Sequence, residues 1–168
     1  ATPTFSPVAG AIAFGTTVTI TSSGADNIYY TTDGSTPTTG STVYSTAVAI
    51  NSALQIDLWG QVNAEMVGGV QIGSVGGQVD FVRGASRSPG GKSVIALLST
   101  AGEGKYSRIV SRLDPGAPIT TSRNELHYVV TEYGIADLRG KTLSQRARAL
   151  AAVAHPDFRR ELERAAGL

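Results

Sequence analysis

The spacing of apolar and polar positions changes character along the chain. Thr17 to Thr21 alternates side by side, and Asn27 to Thr31 is a β-branched and aromatic run, so both predict strands. Ser23 to Asp26 and Asp33 to Pro37 supply the turn residues that bound them. Residues 1–45 therefore read as a small antiparallel β-sandwich, with Val48 to Ile50 as its natural last strand. Leu54 to Leu58 alternates again and meets Gly60. Further strands are expected at Val79 to Phe81, at Val94 to Leu98 and at His127 to Thr131. The run at Val94 is continuously apolar, as in a buried parallel strand. Arg108 to Val110 and Ile119 to Thr121 are shorter candidates.

The period then lengthens to that of a helix. Leu143, Ala147, Leu150, Ala151 and Ala154 share one face, and Thr142 with Gln145 forms a capping-box pair at its start. His155-Pro156 ends this helix, and Pro156 opens the next at its first turn. Phe158, Leu162 and Ala165 give the second helix an apolar stripe, with Arg159 and Glu163 spaced for an ion pair. The expected fold is mixed: a small antiparallel β-sandwich-like front, then an α/β part with a mostly parallel sheet and C-terminal helices. The boundary falls between residues 1–45 and 46–168, with 46–60 as a strand shared by the two.

Composition supports that division. Residues 1–50 contain neither Lys nor Arg, and their acids are Asp26 and Asp33, whereas arginines are frequent from Ser93 onward. Overall, 41% apolar and 16% charged residues allow a packed core. A net charge of +1 gives no reason to expect nucleic acid or an anionic membrane as partner. Without cysteine there is no disulfide, thiolate ligand or thiol nucleophile, and His127 and His155 alone make no zinc site. No apolar run reaches the roughly 18 residues of a membrane span. The start at Ala1 shows no signal peptide and suggests an excised, processed or engineered chain.

Two resemblances follow from particular strings. Ala1 to Pro7, together with Ile28-Tyr29-Tyr30-Thr31-Thr32-Asp33-Gly34-Ser35-Thr36-Pro37-Thr38, resembles the immunoglobulin-like module of chitobiase and hexosaminidase C-termini. Such modules occur in secreted glycan enzymes, usually in an accessory role. On this resemblance Tyr29, Tyr30 and Tyr44 are either a sugar-stacking platform or alternate residues of a strand. Val48 to Leu58 with Gly60-Gln61-Val62-Asn63, Gly76 to Ala85, Thr120 to Asn124, Tyr128 to Lys141 and Ala154 to Arg159 resemble the C-terminal domain of the acetyl-CoA hydrolase/transferase family. The pair of resemblances implies a chimera.

The second resemblance implies ping-pong acyl transfer: a glutamate attacks a CoA thioester, giving a mixed anhydride and then a glutamyl-CoA thioester. Such chemistry needs a nucleophilic carboxylate and donors facing a developing oxyanion. Asn63 matches the asparagine beside the reacting carbonyl, and Gly76 and Gly77, in the turn Gly73 to Gly77, offer backbone N–H groups at close approach. Ser74 departs from the glycine of many relatives. Each of these has a plainer reading, as a turn cap or a chain reversal. Glu132 matches a supporting position rather than the nucleophile. Arg83, Arg123, Arg139 and Lys141 are candidates for CoA phosphates or for solvated surface.

In the family the nucleophile precedes the position of Val48, yet no glutamate precedes Glu65 here. Glu65 and Glu125 read as surface residues, His127 as a packed residue and His155 as a helix junction. The expectation is a fragment of an acyl-CoA transferase or hydrolase domain fused to a β module, inactive alone. Acyl-CoA or CoA is its possible partner, with no metal and no covalent cofactor. A non-catalytic carbohydrate-associated or structural module is the alternative. An apolar face left by absent parts would favour self-association. The transferase part points to the cytoplasm, the front to secreted modules.

Overall fold

The computed structural model describes residues 4–6, 17–21, 29–30, 36, 38–43 and 48–168. The front of the chain contributes β1 (Thr4–Ser6), β2 (Thr17–Thr21), β3 (Tyr29–Tyr30) and β4 (Thr42–Val43). Then come β5 (Val48–Asn51), β6 (Gln55–Asp57), β7 (Val62–Asn63), β8 (Met66–Val67), β9 (Val70–Gln71) and helix α1 (Gln78–Arg87). The remainder holds β10 (Ser93–Ala96), β11 (Thr100–Ala101), β12 (Tyr106–Ser107), β13 (Ile109–Val110), β14 (Tyr128–Thr131), β15 (Gly134–Asp137), α2 (Leu143–Ala152) and α3 (Pro156–Ala165).

A six-stranded sheet in the order β1-β2-β5-β10-β14-β15 is the backbone of the fold. Its inner strands β5, β10 and β14 are parallel, with Ile95 opposite both Asn51 and Val129. The flanking pairs β1-β2, β2-β5 and β14-β15 are antiparallel. The sheet is thus mixed rather than mostly parallel, because a short hairpin turn at Glu132-Tyr133 returns β15 directly beside β14 where a crossover would be needed for a parallel partner. A second sheet, β13-β6-β7, stands apart from it. The stretch 46–60 is accordingly divided: β5 joins the first sheet and β6 the second. Among the described residues of 1–45 no separate sandwich forms. β1 and β2 extend the large sheet, and β3 pairs only with β4. The turn expected at 23–26, the turn expected at 33–37 apart from Thr36, and Tyr44 lie outside the described residues.

The segment Val79 to Phe81 is helix, not strand. Gln78, Val82 and Ala85 are its buried positions, spaced i, i+4 and i+7, while Phe81 is exposed. Two alternating apolar residues mimic a strand when the third member of the helical face is a glutamine. As the connection between parallel β5 and β10, α1 runs back along them and opens at their carboxyl edge.

The other two helices start as their sequence requires. Thr142 Oγ1 accepts from Gln145 N at 3.3 Å and Gln145 Oε1 accepts from Thr142 N at 2.9 Å. His155 Nδ1 accepts from Asp157 N at 3.3 Å, and Pro156 occupies the first turn of α3, where its missing N–H costs nothing. Within α2, Ala147, Leu150 and Ala151 are buried, with Ala154 just beyond, but Leu143 is exposed because the face it shares is taken by Arg146. In α3, Leu162 is buried and Phe158 packs on the core, whereas Ala165 is exposed and Ala166 packs instead. Arg159 does not pair with Glu163. Its Nε donates to the Ala154 carbonyl at 2.9 Å and its guanidinium lies 5.4 Å from the Tyr133 ring. Ile56, Ile95, Ile109, Val129, Leu138 and Leu150 are fully buried in one cluster, each contributing about 1.5–3 kcal/mol by leaving water.

Candidate functional site

Asn63 ends β7 and is fully buried. Its Oδ1 accepts from Glu65 N and Met66 N, both at 3.0 Å, and its Nδ2 donates to the Met66 carbonyl at 2.6 Å. In this geometry Asn63 caps a turn that launches the β8-β9 hairpin. Gly68 and Gly69, at φ 56° and 80°, close the hairpin as its tight turn requires. Thr120 buttresses the corner: its Oγ1 accepts from Ala64 N at 2.9 Å and donates to Glu65 Oε1 at 2.8 Å. Val62 and Thr121 exchange backbone bonds beside it.

The carboxyl edge of the parallel strands carries a second group. Gly76 adopts φ 51° and Gly77 stands at the start of α1 without a side-chain cap, leaving the N–H groups of the first turn without one. A Cβ on Gly77 would approach the Phe81 ring to 3.1 Å. Ser99 follows β10 and Glu132 follows β14. Glu132 accepts from Ser99 N at 3.2 and 2.9 Å through its two oxygens, and from Ser99 Oγ at 2.6 Å. Desolvation pushes its pKa up, but the Ser99 hydroxyl, backbone amides and His155 outweigh this and hold it below the ordinary value. The end of β14 is pinned as well, since Thr131 Oγ1 donates to the Val153 carbonyl at 2.6 Å.

The loop after Thr121 links these groups. Arg83 on α1 pairs with Glu125 at 3.0 Å, which ties the helix to that loop. Arg146, nearly buried, donates from Nη1 to the Arg123 carbonyl at 2.7 Å. Burial first, then the Arg123 charge, lowers its pKa. The elements that carry Asn63, Gly76, Gly77 and Arg83 each join the loop that carries Arg123. Lys141 does not. It lies beyond the opposite end of β14 from Glu132 and, with Lys92 and Arg139, faces His127. His127 stacks on Tyr128 at 3.9 Å, and its Nε2 is 3.5 Å from Asp137 Oδ1. Its pKa is lowered, first by desolvation and then by those three cations, against the attraction of Asp137. Among the described residues no group of His, Asp and Glu could hold a metal ion. No helix among them is long and apolar enough to cross a membrane.

Ser99, Thr120 and Arg146 were not singled out by sequence. Ser99 carried a usable signal, because it directly follows an apolar parallel-type strand, where sites collect. Arg146 lies at helical spacing from Leu143 and Leu150, a position on the inner face. Thr120 carried none beyond its neighbours.

Residues 27–166 match the acetyl-CoA hydrolase/transferase C-terminal domain family. The 4-hydroxybutyrate coenzyme A transferase of Clostridium kluyveri is 64% identical over 115 residues, covering 68% of this chain and 27% of that protein. The succinyl-CoA:cyclohexane-1-carboxylate CoA transferase of Geobacter metallireducens is 54% identical over 119 residues, 71% of this chain and 27% of its own length. Among solved structures, RipA from Yersinia pestis superposes with a TM-score of 0.63 at 48% identity, covering 71% of this chain and 25% of RipA. The chain thus spans about a quarter of the length of the relatives it matches. Nothing in these likenesses supports a chitobiase-type module, and the family match begins at residue 27, inside the segment expected to hold it. Over residues 27–166 the chain belongs to the acetyl-CoA hydrolase/transferase C-terminal domain family.

Proposed function

We propose that this chain supplies the positioning part of an acyl-CoA transfer site and lacks the attacking carboxylate. The observation that carries this reading is the carboxyl edge of the parallel strands, where the glycine turn opening α1 and the Ser99-held Glu132 both lie. The α1 N-terminus is electropositive, and its N–H groups suit a thioester oxyanion. Gly76 and Gly77 let substrate approach that backbone, and Asn63 fixes the turn behind it. Glu132 acts as a supporting acceptor. Arg83 and Arg123 are the cations offered to CoA phosphates, with Arg83 shared with Glu125, whereas Lys141 lies at the far end of β14 and takes no part. On this reading residues 46–168 carry the transferase fold, and β1 and β2 from residues 1–45 prolong its sheet beside β5. The likeness to the relatives supports the substrate class, an acyl-CoA and a free acid.

Incubation with acetyl-CoA and acetate, followed by hydroxylamine trapping and mass spectrometry, tests it. CoA should raise the melting temperature while no glutamyl-CoA forms and no turnover is seen. Robust turnover with a label on Glu65, Glu125 or Glu132 would overturn the missing-nucleophile reading. Stabilisation by chito-oligosaccharides and not by CoA would favour the carbohydrate-associated alternative.

A further inference from the structure

A cavity of about 840 Å³ lies beside the Asn63 corner, among β6, the tip of the β8-β9 hairpin, the β11-β12 hairpin, β13 and α3. None of Asn63, Gly76, Gly77, Glu132, Arg83, Arg123 or Lys141 lines it. Leu54, Phe158 and Leu162 form apolar wall, and Lys105, Arg108 and Arg112 bring three cations to it. This size and this mixture of apolar lining with few polar groups are those of small-molecule sites.

The charges are not matched internally. Asp114, also on the wall, is engaged by Gln55 Nε2 at 3.0 Å. Among the described residues Lys105, Arg108 and Glu161 make no ion pair. Arg108 is half-buried, and its backbone is fixed on both sides: its N–H donates to the Ser99 carbonyl at 2.8 Å and its carbonyl accepts from Ile56 N at 2.9 Å. Arg108 thus brings a cation to the cavity wall on a fixed backbone with no ion-pair partner among the described residues, which suits a ligand anion. Arg112, by contrast, is occupied, lying 5.2 Å from the Trp59 ring.

We propose that this cavity binds an organic anion with an apolar body. Its carboxylate or phosphate is held by Arg108 and Lys105, and its hydrocarbon lies against Leu54, Phe158 and Leu162. Glu161 on the α3 side orients the ligand, keeping the charged end toward Arg108. The cavity adjoins the acyl-transfer edge through Leu54, Gly68 and Arg108, but the groups proposed to act there, Gly76, Gly77, Asn63 and Glu132, do not line it.

The chain has a single tryptophan, and Arg112 connects it to the cavity wall, so its emission reports occupancy. Titrations with octanoate and octyl phosphate should each give a saturable change, and comparison of the two identifies the preferred head group. Acetate and inorganic phosphate should bind at least about tenfold more weakly, since they lack the buried hydrocarbon. Arg108→Gln should weaken the better ligand by about tenfold or more, the effect of one charge-assisted hydrogen bond. Lys105→Gln, at an exposed position that leaves the fold intact, should weaken it as well. The proposal fails if neither amphiphile binds, if the short anions bind equally well, or if titrations of the folded Lys105→Gln and Arg108→Gln proteins match the parent. CoA titrated in parallel separates this result from that of the acyl-transfer site.

Discussion

Gln78 gives the sharpest test of how this core is built, because its substitution should reverse the usual sign of a core mutation. The side chain is fully buried, and neither Nε2 nor Oε1 has a protein hydrogen-bond partner. An amide left unpaired in a protein interior costs about 1–3 kcal/mol relative to a paired or apolar group. Methionine has nearly the same length and flexibility, fits irregular space and is an equally good helix former. Gln78→Met should therefore stabilise the fold by about 1–3 kcal/mol, or about 2–12 °C in Tm for a chain of this size. Gln78→Glu should act oppositely, burying a charge at the same place. Urea denaturation followed by circular dichroism reads both, as a higher midpoint with unchanged slope for the methionine variant. A loss of 1 kcal/mol or more on Gln78→Met would show that the amide is satisfied after all, and would refute the reasoning.

Other substitutions probe the frame and the edge residues. A Cβ on Gly91 would stand 2.1 Å from the Ala85 carbonyl oxygen, so Gly91→Ala should cost at least about 2 kcal/mol in denaturant titrations, despite alanine's lower backbone entropy. Leu150→Ala, at a fully buried position between helix and sheet, should cost about 2–5 kcal/mol in the same assay. Ser99→Ala should raise the Glu132 pKa toward its ordinary 4.5, as followed by carboxyl NMR. Because the folded value lies below the unfolded one, the stability that Glu132 contributes is present above about pH 4.5 and is lost as pH falls through the folded pKa. Ser99→Ala should flatten that acid limb. For His127 the folded pKa also lies below the ordinary 6.5, so stability should decline as pH drops from about 6.5 through the folded value, and His127→Phe should remove this step from the pH–Tm curve.

What the sequence discloses here depends on how many residues an argument needs. The capping box at Thr142 and Gln145 and the runs that became β10 and β14 are local patterns, readable because neighbours along the chain decide them. Helix α1 is local too, yet its inner face begins with Gln78 and its middle holds Gly84, so the apolar period is broken where it would be counted. Strand β15 was hidden because Gly134, at φ 136°, starts it directly after a turn and only Ala136 of its residues is buried. The edge pairs are of another kind. Ser99 and Glu132 are 33 residues apart, and Glu65 and Thr120 are 55 apart. No spacing rule reaches such distances. Only the parallel registry of β10 with β14, and the bridge of Val62 to Thr121, brings them together.

That pairing bears on whether any glutamate of the chain can act as the attacking nucleophile. An attacking carboxylate needs a lone pair free of strong donors and a position open to the carbonyl carbon. Both oxygens of Glu132 accept from Ser99, which holds the anion stable and correspondingly less reactive. Glu125 is committed to Arg83, and Glu65 to the Thr120 hydroxyl with Gln71 Nε2 at 3.4 Å. Each donor that fixes a carboxylate in place for positioning also occupies the electrons that attack would use. The same contacts that make this edge a competent frame therefore argue against its own glutamates as nucleophiles. Ser99→Ala loosens this hold, since it removes the hydroxyl donor while the backbone N–H of residue 99 still reaches both Glu132 oxygens. If the variant still forms no CoA thioester, loss of the hydroxyl bond is not enough to turn Glu132 into a nucleophile.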